Sequence, residues 1–250
     1  MADQLIPVGT NFWNIRGSFK TAGIIDIGTQ ASLVKRAAGD FVLLDSYTLT
    51  GAVEREVMDL TDGGQAVSAV INLHPFHTIH VKRTAAQFPA AKLYGSARHV
   101  AKAPDLAWES TKVEDDGFAA LFADDLAFSI PRGVDFISPD PNLHFSSVLA
   151  FHPASKTLHV DDTLMWISIP GLRGIAFHPT LKRTLERCAG AAADFRAWAR
   201  DLVTQCQGYE NLCAAHMKAP APRPLDIAGG VRKALGKVEK VLAAHEKRFG

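Results

Sequence analysis

Short apolar runs in the first half of the chain predict strands that alternate with helices. Residues 41–45 are almost wholly apolar, which is typical of a strand covered on both faces. In residues 51–60 the apolar positions instead share one face of a helix, which Gly63 and Gly64 end. The other elements predicted here are strands over residues 12–19, 24–34, 66–73 and 92–95, and a helix over residues 82–88 that Pro89 stops.

The second half of the chain predicts a hairpin, two helices and a last strand. These elements are hairpin strands at 145–151 and 157–160, a helix at 191–205, a strand at 209–215 and a basic amphipathic helix at 231–249. Prolines between residues 219 and 224 favour an extended linker before the final helix. Two successive sets of strands with flanking helices indicate two packed sheets that are covered on the outside by helices.

Composition narrows the class of protein. A chain of 250 residues suits one large domain or two small ones, and its formal net charge of +1 gives no bulk attraction to nucleic acid or to anionic membranes. No apolar run approaches the roughly 18 residues of a membrane span, and the N-terminus lacks the pattern of a signal peptide. Three cysteines without metal-knuckle spacing indicate free thiols. We therefore expect a cytoplasmic protein without a nucleic-acid or membrane partner.

Several of the ten histidines stand where predicted strands end. His74 and His77 directly follow the strand at 66–73, and His216 follows the strand at 209–215. Asp162 follows the second strand of the predicted hairpin. Loops at strand ends are where rigid scaffolds place chemistry. Imidazoles and a carboxylate that converge there suit zinc, iron or manganese better than calcium or magnesium.

In order and spacing, these pieces resemble the metallo-β-lactamase superfamily over residues 10–217. Residues 40–46 (DFVLLDS) match the family's first strand motif, and Asp162 in TLHVDDT matches the aspartate of its "GD" dipeptide, which bridges two metal ions. The family's H-x-H-x-D-H loop corresponds to N-x-H-x-F-H here, formed by Asn72, His74, Phe76 and His77. The family's two remaining ligand histidines correspond to His144, near a G-H-T-type turn, and to His216.

The resemblance implies a four-layer αββα sandwich, an α/β fold in which helices flank two mixed β-sheets. It implies a metallo-β-lactamase-like domain over residues 1–217, a proline-rich linker over 218–226 and a C-terminal amphipathic helix over 227–250. We expect that helix to dock on the domain or on a partner subunit, so a homodimer is one expectation.

The altered loop changes the metal chemistry that the resemblance implies. Asn72 offers at best a weak amide oxygen, and Phe76 removes the aspartate that orients the attacking water in the family. We therefore predict one divalent metal ion, zinc first and iron or manganese as alternatives. Its predicted ligands are His74, His77, His144, Asp162 and His216. Asp161, Asp162 and His80 are the candidate bases, with Asp162 and His80 as the predicted catalytic residues.

Three functions are open at this point. The first is a metal-dependent hydrolase that acts on a small-molecule ester, lactone, thioester or phosphoester. The second is a catalytically degenerate member of the fold that serves as a binding or interaction module, which Asn72 and Phe76 favour. The third is an iron-dependent redox or oxygen-handling protein. Fold alone does not decide among them.

Overall fold

A computed structural model describes residues 3–21, 25–169, 171–216 and 221–250. The strands of the first half are β1 (Gln4–Gly9), β2 (Phe12–Gly17), β3 (Lys20–Thr21), β4 (Ile25–Asp26), β5 (Thr29–Lys35), β6 (Phe41–Leu44), β7 (Val67–Ile71) and β8 (Lys92–Tyr94). Those of the second half are β9 (Ala127–Ser129), β10 (Leu149–His152), β11 (Thr157–Val160), β12 (Leu164–Ile169), β13 (Leu172–Phe177) and β14 (Asn211–Ala214).

Helices lie between and after these strands. The α-helices of the described ranges are α1 (Gly51–Leu60), α2 (Val81–Gln87), α3 (Ala97–Lys102), α4 (Leu181–Thr184), α5 (Ala191–Gln205) and α6 (Ile227–Phe249). Single 3-10 turns at Ala119–Phe122 and Pro153–Ser155 complete the helical segments.

Two mixed sheets form the centre of the molecule. The first has the strand order β1-β2-β5-β6-β7-β8, in which β6, β7 and β8 run parallel and the others antiparallel. The second has the order β14-β11-β10-β9, with β11 and β14 parallel. Because parallel neighbours end at the same edge, the loops after β7, β11 and β14 can meet there.

Three hydrophobic clusters show how the layers stack. Phe12, Val34 and Ile71 of the first sheet pack against Ala150 and Cys213 of the second, which makes the inter-sheet core. The outer face of the first sheet buries residues of α1, and the outer face of the second sheet buries residues of α5 and α6. The order helix, sheet, sheet, helix is the predicted four-layer αββα sandwich, and that prediction is confirmed.

The C-terminal helix α6 packs against α5 and β13. Its buried face carries Ile227, Val231 and Leu242, all within the same hydrophobic cluster as α5. Arg196 of α5 forms ion pairs with Glu239 and Glu246 of α6. Docking on the domain is thus what this chain shows, and the predicted homodimer stays a prediction. Among the described residues, no helix combines the length and the apolar character that a membrane span needs.

Two local predictions need correction. The strand predicted over residues 24–34 is interrupted, because the Asp26 carboxylate accepts hydrogen bonds from the backbone of Phe19 and Gly28, at 3.1 and 3.0 Å, and turns the chain. Gly28 has a φ of 73°, which ends one strand before the next begins. The hairpin β12–β13 was not predicted, and it pairs Leu164–Ile169 with Leu172–Phe177 beside the second sheet.

Candidate metal centre

Four predicted ligands come together at the ends of three strands. His74 and His77 lie in the loop after β7, Asp162 in the turn after β11, and His216 two residues beyond β14. We call His74, His77, His216 and Asp162 the outer cluster. His216 has a φ of 55°, a left-handed conformation that is uncommon for a residue other than glycine. Such strain typically concentrates at functional positions.

The Asp162 carboxylate is the centre of this cluster. His216 Nε2 lies 3.1 Å from Asp162 Oδ1, and His74 Nε2 lies 3.2 Å from Asp162 Oδ2. His77 Nε2 is 3.7 Å from Asp162 Oδ2, and His144 Nδ1 is 4.0 Å from the same oxygen. Asp162 is buried, so this carboxylate has four imidazoles rather than water around it.

A second hydrogen bond fixes which ring nitrogen of His216, and which of His144, faces the Asp162 carboxylate. His216 Nδ1 lies 3.0 Å from the carbonyl oxygen of Gly28, so its N–H can donate there and leave Nε2 facing Asp162. His144 Nε2 lies 3.0 Å from the carbonyl oxygen of Pro141, which leaves Nδ1 facing Asp162. Orientation of ligand histidines by a second hydrogen bond is a general property of metal sites.

The geometry and the donor set fit a divalent metal ion. Two atoms that each lie about 2 Å from a tetrahedral centre stand roughly 3.3 Å apart, close to the spacings around Asp162. His74 Nε2 is buried and lies 3.2 Å from Asp162 Oδ2, but it makes no hydrogen bond of good geometry with a described residue. His74 Nδ1 accepts the backbone N–H of Phe76 at 3.1 Å. Metal binding through Nε2 would move the ring proton to Nδ1 and break this contact. His77, His216 and Asp162 are thus the better-prepared ligands.

In the metal-free protein, protons balance the charge of this cluster. Burial lowers the pKa of His77, but attraction to Asp161 and Asp162 outweighs burial and holds that pKa well above its ordinary value. Contacts with Asp162 likewise raise the pKa of His216 against burial. Burial raises the pKa of Asp162, but its contacts with His216, His74 and His77 outweigh burial and hold that pKa well below its usual range. A metal ion would displace the histidine protons, so binding should release protons.

A second group of histidine and carboxylates lies beneath the first, between the sheets. Its members are Asp45 at the end of β6, His159 in β11 and Asp161, which we call the inner cluster. His159 Nε2 lies 2.8 Å from Asp45 Oδ2, and His159 Nδ1 lies 2.9 Å from Ser32 Oγ. Asp45 Oδ1 accepts the backbone N–H of Leu73 at 2.8 Å. Both nitrogens of the inner histidine are therefore used by the protein itself.

Burial shapes the charge of the inner cluster. Burial raises the pKa of Asp45 to about 6, repulsion from Asp161 adds to the rise, and the contact with His159 opposes it. All three side chains are buried. The inner cluster is a hydrogen-bonded connection between β6 and β11, and sequence reasoning missed it. The signal that could have found it is a histidine at a buried position of the otherwise apolar strand β11.

The two altered loop residues make no ligand contact. The amide oxygen of Asn72 accepts the Ser46 hydroxyl at 2.6 Å, and its amide nitrogen donates to the carbonyl oxygen of Tyr94 at 2.9 Å. Asn72 is therefore a structural residue here, and its amide is not free to act even as a weak metal ligand. The ring of Phe76 stacks on His144 with 4.7 Å between centroids, and the guanidinium of Arg98 lies 4.3 Å from the Phe76 ring centroid.

A cavity of about 190 Å³ opens over the outer cluster. Its walls are apolar at Phe19, Ile27, Phe76 and Ile79, and polar where the histidines reach its floor. No lysine or arginine is among the described residues that line it. His80 also lines this cavity, with Nδ1 2.9 Å from the hydroxyl of Thr48. Burial and the neighbouring His77 lower the pKa of His80, which keeps its ring neutral at pH 7.

A larger cavity of about 590 Å³ lies elsewhere, between the end of α6 and the segment around Asp140. Arg183, Arg187 and Arg248 contribute to its lining, but no histidine of the outer cluster does. Chemistry rather than size identifies the site, so we place the candidate centre in the smaller cavity, where buried ligand types converge.

Comparison with solved structures agrees with this architecture. A metallo-β-lactamase from Erythrobacter litoralis matches with a TM-score of 0.62 at 14% identity, over 94% of this chain and 96% of that chain. A metallo-β-lactamase from Hirschia baltica matches with a TM-score of 0.61 at 13% identity, over 97% of this chain and 98% of that chain. The mono-zinc form of the FIM-1 metallo-β-lactamase from Pseudomonas aeruginosa matches with a TM-score of 0.61 at 8% identity, over 95% of this chain and 96% of that chain.

These likenesses define the class of fold. The chain has the metallo-β-lactamase fold over nearly its whole length, as the sequence resemblance predicted. No protein-family profile matches the sequence, and a comparison with curated proteins finds no match. At 8 to 14% identity the shared feature is the fold, so function has to come from the site itself.

Proposed function

We propose that this protein is a metal-dependent hydrolase that acts on a small, neutral ester, lactone or thioester through a single divalent metal ion, with zinc as the first choice. The observation that carries the proposal is the outer cluster, in which imidazole nitrogens surround one buried carboxylate, and His77 and His216 of that cluster line an open cavity. Two histidines and a carboxylate with an open position make a credible mononuclear site.

The ligands of the proposed ion are His77, His216 and Asp162, with His74 and His144 as additional donors. When bound, a divalent metal ion supplies Lewis acidity and activates a water molecule at neutral pH. His77 and His216, which line the cavity, and the buried Asp162 would hold the ion, and the Phe76 ring lines the same cavity without offering a ligand atom. A dinuclear site is not expected, because the amide of Asn72 is committed to Ser46 and Tyr94.

His80 is the base that the geometry favours. It lines the cavity, and its lowered pKa leaves a neutral imidazole that can accept a proton at pH 7. Asp161 and Asp162 are both buried and neither is among the described residues that line the cavity, and the lowered pKa of each makes it a weak base. The base is therefore expected to be His80, with Asp162 acting as a ligand.

Cavity chemistry narrows the substrate class. Phe19, Ile27 and Ile79 offer apolar contact, and the described lining residues carry no cation to bind a phosphate or carboxylate group. An uncharged acyl group next to an apolar substituent fits such a lining, whereas a phosphoester would have the proposed metal ion as a positive partner but no lysine or arginine among the described lining residues. Among the predicted substrates, neutral acyl compounds therefore rank above phosphoesters.

A binding module without catalysis is the second candidate, and one observation favours it. Asn72 and Phe76 both serve the fold, so two ligand positions of the family are lost. On this account the cavity would bind a small neutral molecule without hydrolysing it. The cytoplasmic location and the small-molecule partner belong to both proposals.

Hydrolysis assays on chelator-treated and zinc-reconstituted protein test the proposal. p-Nitrophenyl acetate, γ-butyrolactone and p-nitrophenyl phosphate represent an ester, a lactone and a phosphoester. We expect zinc-dependent turnover of the first two, loss of turnover in His77→Ala, and a fall of about 100-fold in His80→Ala with zinc still bound. His245→Ala, which removes a histidine far from the site, is the matched control. Zinc-loaded protein with no activity towards any of them would favour the binding module.

A further inference from the structure

Replacement of the loop carboxylate by Phe76 leaves a charge problem at the proposed metal centre. With neutral histidines, Asp162 is the one anionic ligand of the outer cluster. A divalent cation bound there would keep a net positive charge in a buried position. Uncompensated charge is costly to bury, so a second carboxylate near the cluster would favour metal binding.

Asp161 lies where such a carboxylate is needed. It stands directly before Asp162, at the position of the glycine in the family's "GD" dipeptide, and is buried. Its Oδ2 lies 3.3 Å from His77 Nδ1, while His77 Nε2 faces Asp162 at 3.7 Å. The two nitrogens of His77 thus contact two consecutive carboxylates, one on the proposed metal side and one behind it.

Neighbouring groups hold Asp161 in this place. The amide nitrogen of Gln30 donates to the backbone carbonyl oxygens of Val160 and Cys213, at 2.9 and 3.1 Å, and lies 3.5 Å from Asp161 Oδ1. Asp161 Oδ2 makes no hydrogen bond of good geometry with a described residue, and it lies 3.3 Å from His77 Nδ1. A proton on His77 Nδ1 would complete that contact. The buried Arg16 guanidinium also attracts the Asp161 carboxylate.

We propose that Asp161 is the positioning residue of this metal centre: it holds the His77 Nδ1–H so that Nε2 faces the metal ion, and it supplies from beneath the cluster the negative charge that Phe76 no longer provides. This inference rests on the proposed function. A carboxylate behind a ligand histidine fixes its tautomer and raises its basicity, and loss of such a partner typically weakens metal binding 10- to 100-fold.

Zinc affinity tests the proposal directly. Competition with a chromogenic chelator gives the zinc dissociation constant of wild-type protein, Asp161→Asn and Asp116→Asn, an exposed matched control. We expect about 10- to 100-fold weaker binding in Asp161→Asn and no change in the control. Thermal unfolding of the chelator-treated proteins shows whether the variant keeps its fold. Wild-type affinity in a folded Asp161→Asn protein would overturn the proposal.

Two further measurements separate positioning from a merely structural role. Long-range ¹H–¹⁵N NMR of the histidine rings should show His77 protonated at Nδ1 in the zinc-loaded wild type, and a mixture of tautomers in Asp161→Ala. The double variant Phe76→Asp/Asp161→Asn returns a carboxylate to the loop, so it should recover at least about tenfold of the lost affinity. No recovery would overturn the charge half of the proposal, and an unchanged tautomer would overturn the positioning half.

The same experiment keeps the two proposals distinct. Wild-type protein that binds no zinc contradicts the proposed function and this inference together. Zinc binding that is tight in wild type and equally tight in Asp161→Asn leaves the metal centre intact and contradicts only the role given to Asp161.

Discussion

The outer and inner clusters are built from the same residue types, yet they do different things. In the inner cluster, His159 uses both ring nitrogens on protein partners, the Asp45 carboxylate and the Ser32 hydroxyl. In the outer cluster, the rings turn one nitrogen each towards the Asp162 carboxylate, and His74 Nε2, 3.2 Å from it, makes no hydrogen bond of good geometry with a described residue. One cluster is complete without a ligand, and the other is not.

The comparison shows what distinguishes a metal centre from a structural histidine. Histidine and aspartate in proximity do not suffice, because a fully bonded pair gains nothing from an ion. Unmet ligand atoms beside an accessible cavity are the distinguishing feature. His99 is a third case: this buried histidine has no carboxylate partner among the described residues and caps α3 by accepting the backbone N–H of Ser96.

The largest effect is expected from Asp162→Asn. The change removes the anionic ligand that the outer histidines surround, so zinc affinity should fall by at least about 100-fold. Isothermal titration with zinc measures the loss. Asp135→Asn, at the larger cavity, is the control and should bind as wild type. Equal affinity in Asp162→Asn would mean that the outer cluster is not the metal centre.

His159→Ala should act on stability and not on metal. It leaves the buried Asp45 carboxylate without its hydrogen bond to His159, which costs about 3 kcal/mol of the free energy of unfolding. Urea denaturation of the chelator-treated protein measures this cost, and zinc stoichiometry should stay that of wild type. Loss of zinc with little change in stability would place the metal in the inner cluster and reverse the comparison.

His99 predicts a loss of stability at acidic pH. Burial lowers its pKa to about 3 in the folded protein, against an ordinary 6.5 when unfolded, and repulsion from His74 adds to the shift. Below pH 6.5 the unfolded chain therefore binds a proton that the folded protein does not. The contribution of neutral His99 to the free energy of unfolding is complete above pH 6.5, and it falls by about 1 kcal/mol per pH unit between pH 6 and pH 4.

The measurement is urea unfolding of His99→Asn and wild type across this pH range. The difference between the two should shrink as the pH falls, since the variant lacks the penalty. A difference that stays constant from pH 7 to pH 4 would contradict a neutral, isolated His99. The outer histidines titrate in both proteins, so their own pH dependence is common to the two, and the repulsion between His74 and His99 is part of the measured difference.

The smallest effect is expected from Ile79→Ala at the mouth of the cavity. Ile79 is 71% exposed, so the free energy of unfolding should change by less than about 0.5 kcal/mol. Lost apolar contact should raise the KM for a neutral ester about threefold, with kcat nearly unchanged. Leu121→Ala, another exposed apolar residue, is the control. An unchanged KM would contradict a role of the apolar cavity wall in substrate specificity.

Local pattern predicted most of the fold. The helix over residues 51–60 and the helix over 191–205 are confirmed at the predicted bounds, because their apolar faces are long and regular. The strand over 24–34 was wrong because Asp26 and Gly28 build a turn that periodicity does not show. The hairpin β12–β13 escaped notice, since Gly171 and Gly174, both at positive φ, give its second half the composition of a loop.

Part of the candidate site could likewise be predicted from the sequence, and part could not. His74, His77, Asp162 and His216 could be found because each follows a strand in the order of a known family. The pair of Asp45 and His159 could not, because it joins two strands that are 114 residues apart in sequence. Contacts of that range depend on how the sheets pack. The separation of Asp161 from the cavity, which removes it as a base, is likewise a result of packing.

Metal content is the most direct test of the central claim, that the outer cluster is a mononuclear metal centre. Plasma mass spectrometry on untagged protein, beside the double variant His77→Ala/His216→Ala, gives the metal per chain. The account predicts about one equivalent of zinc, iron or manganese in wild type and none in the variant. Two equivalents, the same content in both proteins, or no metal even after reconstitution would contradict it.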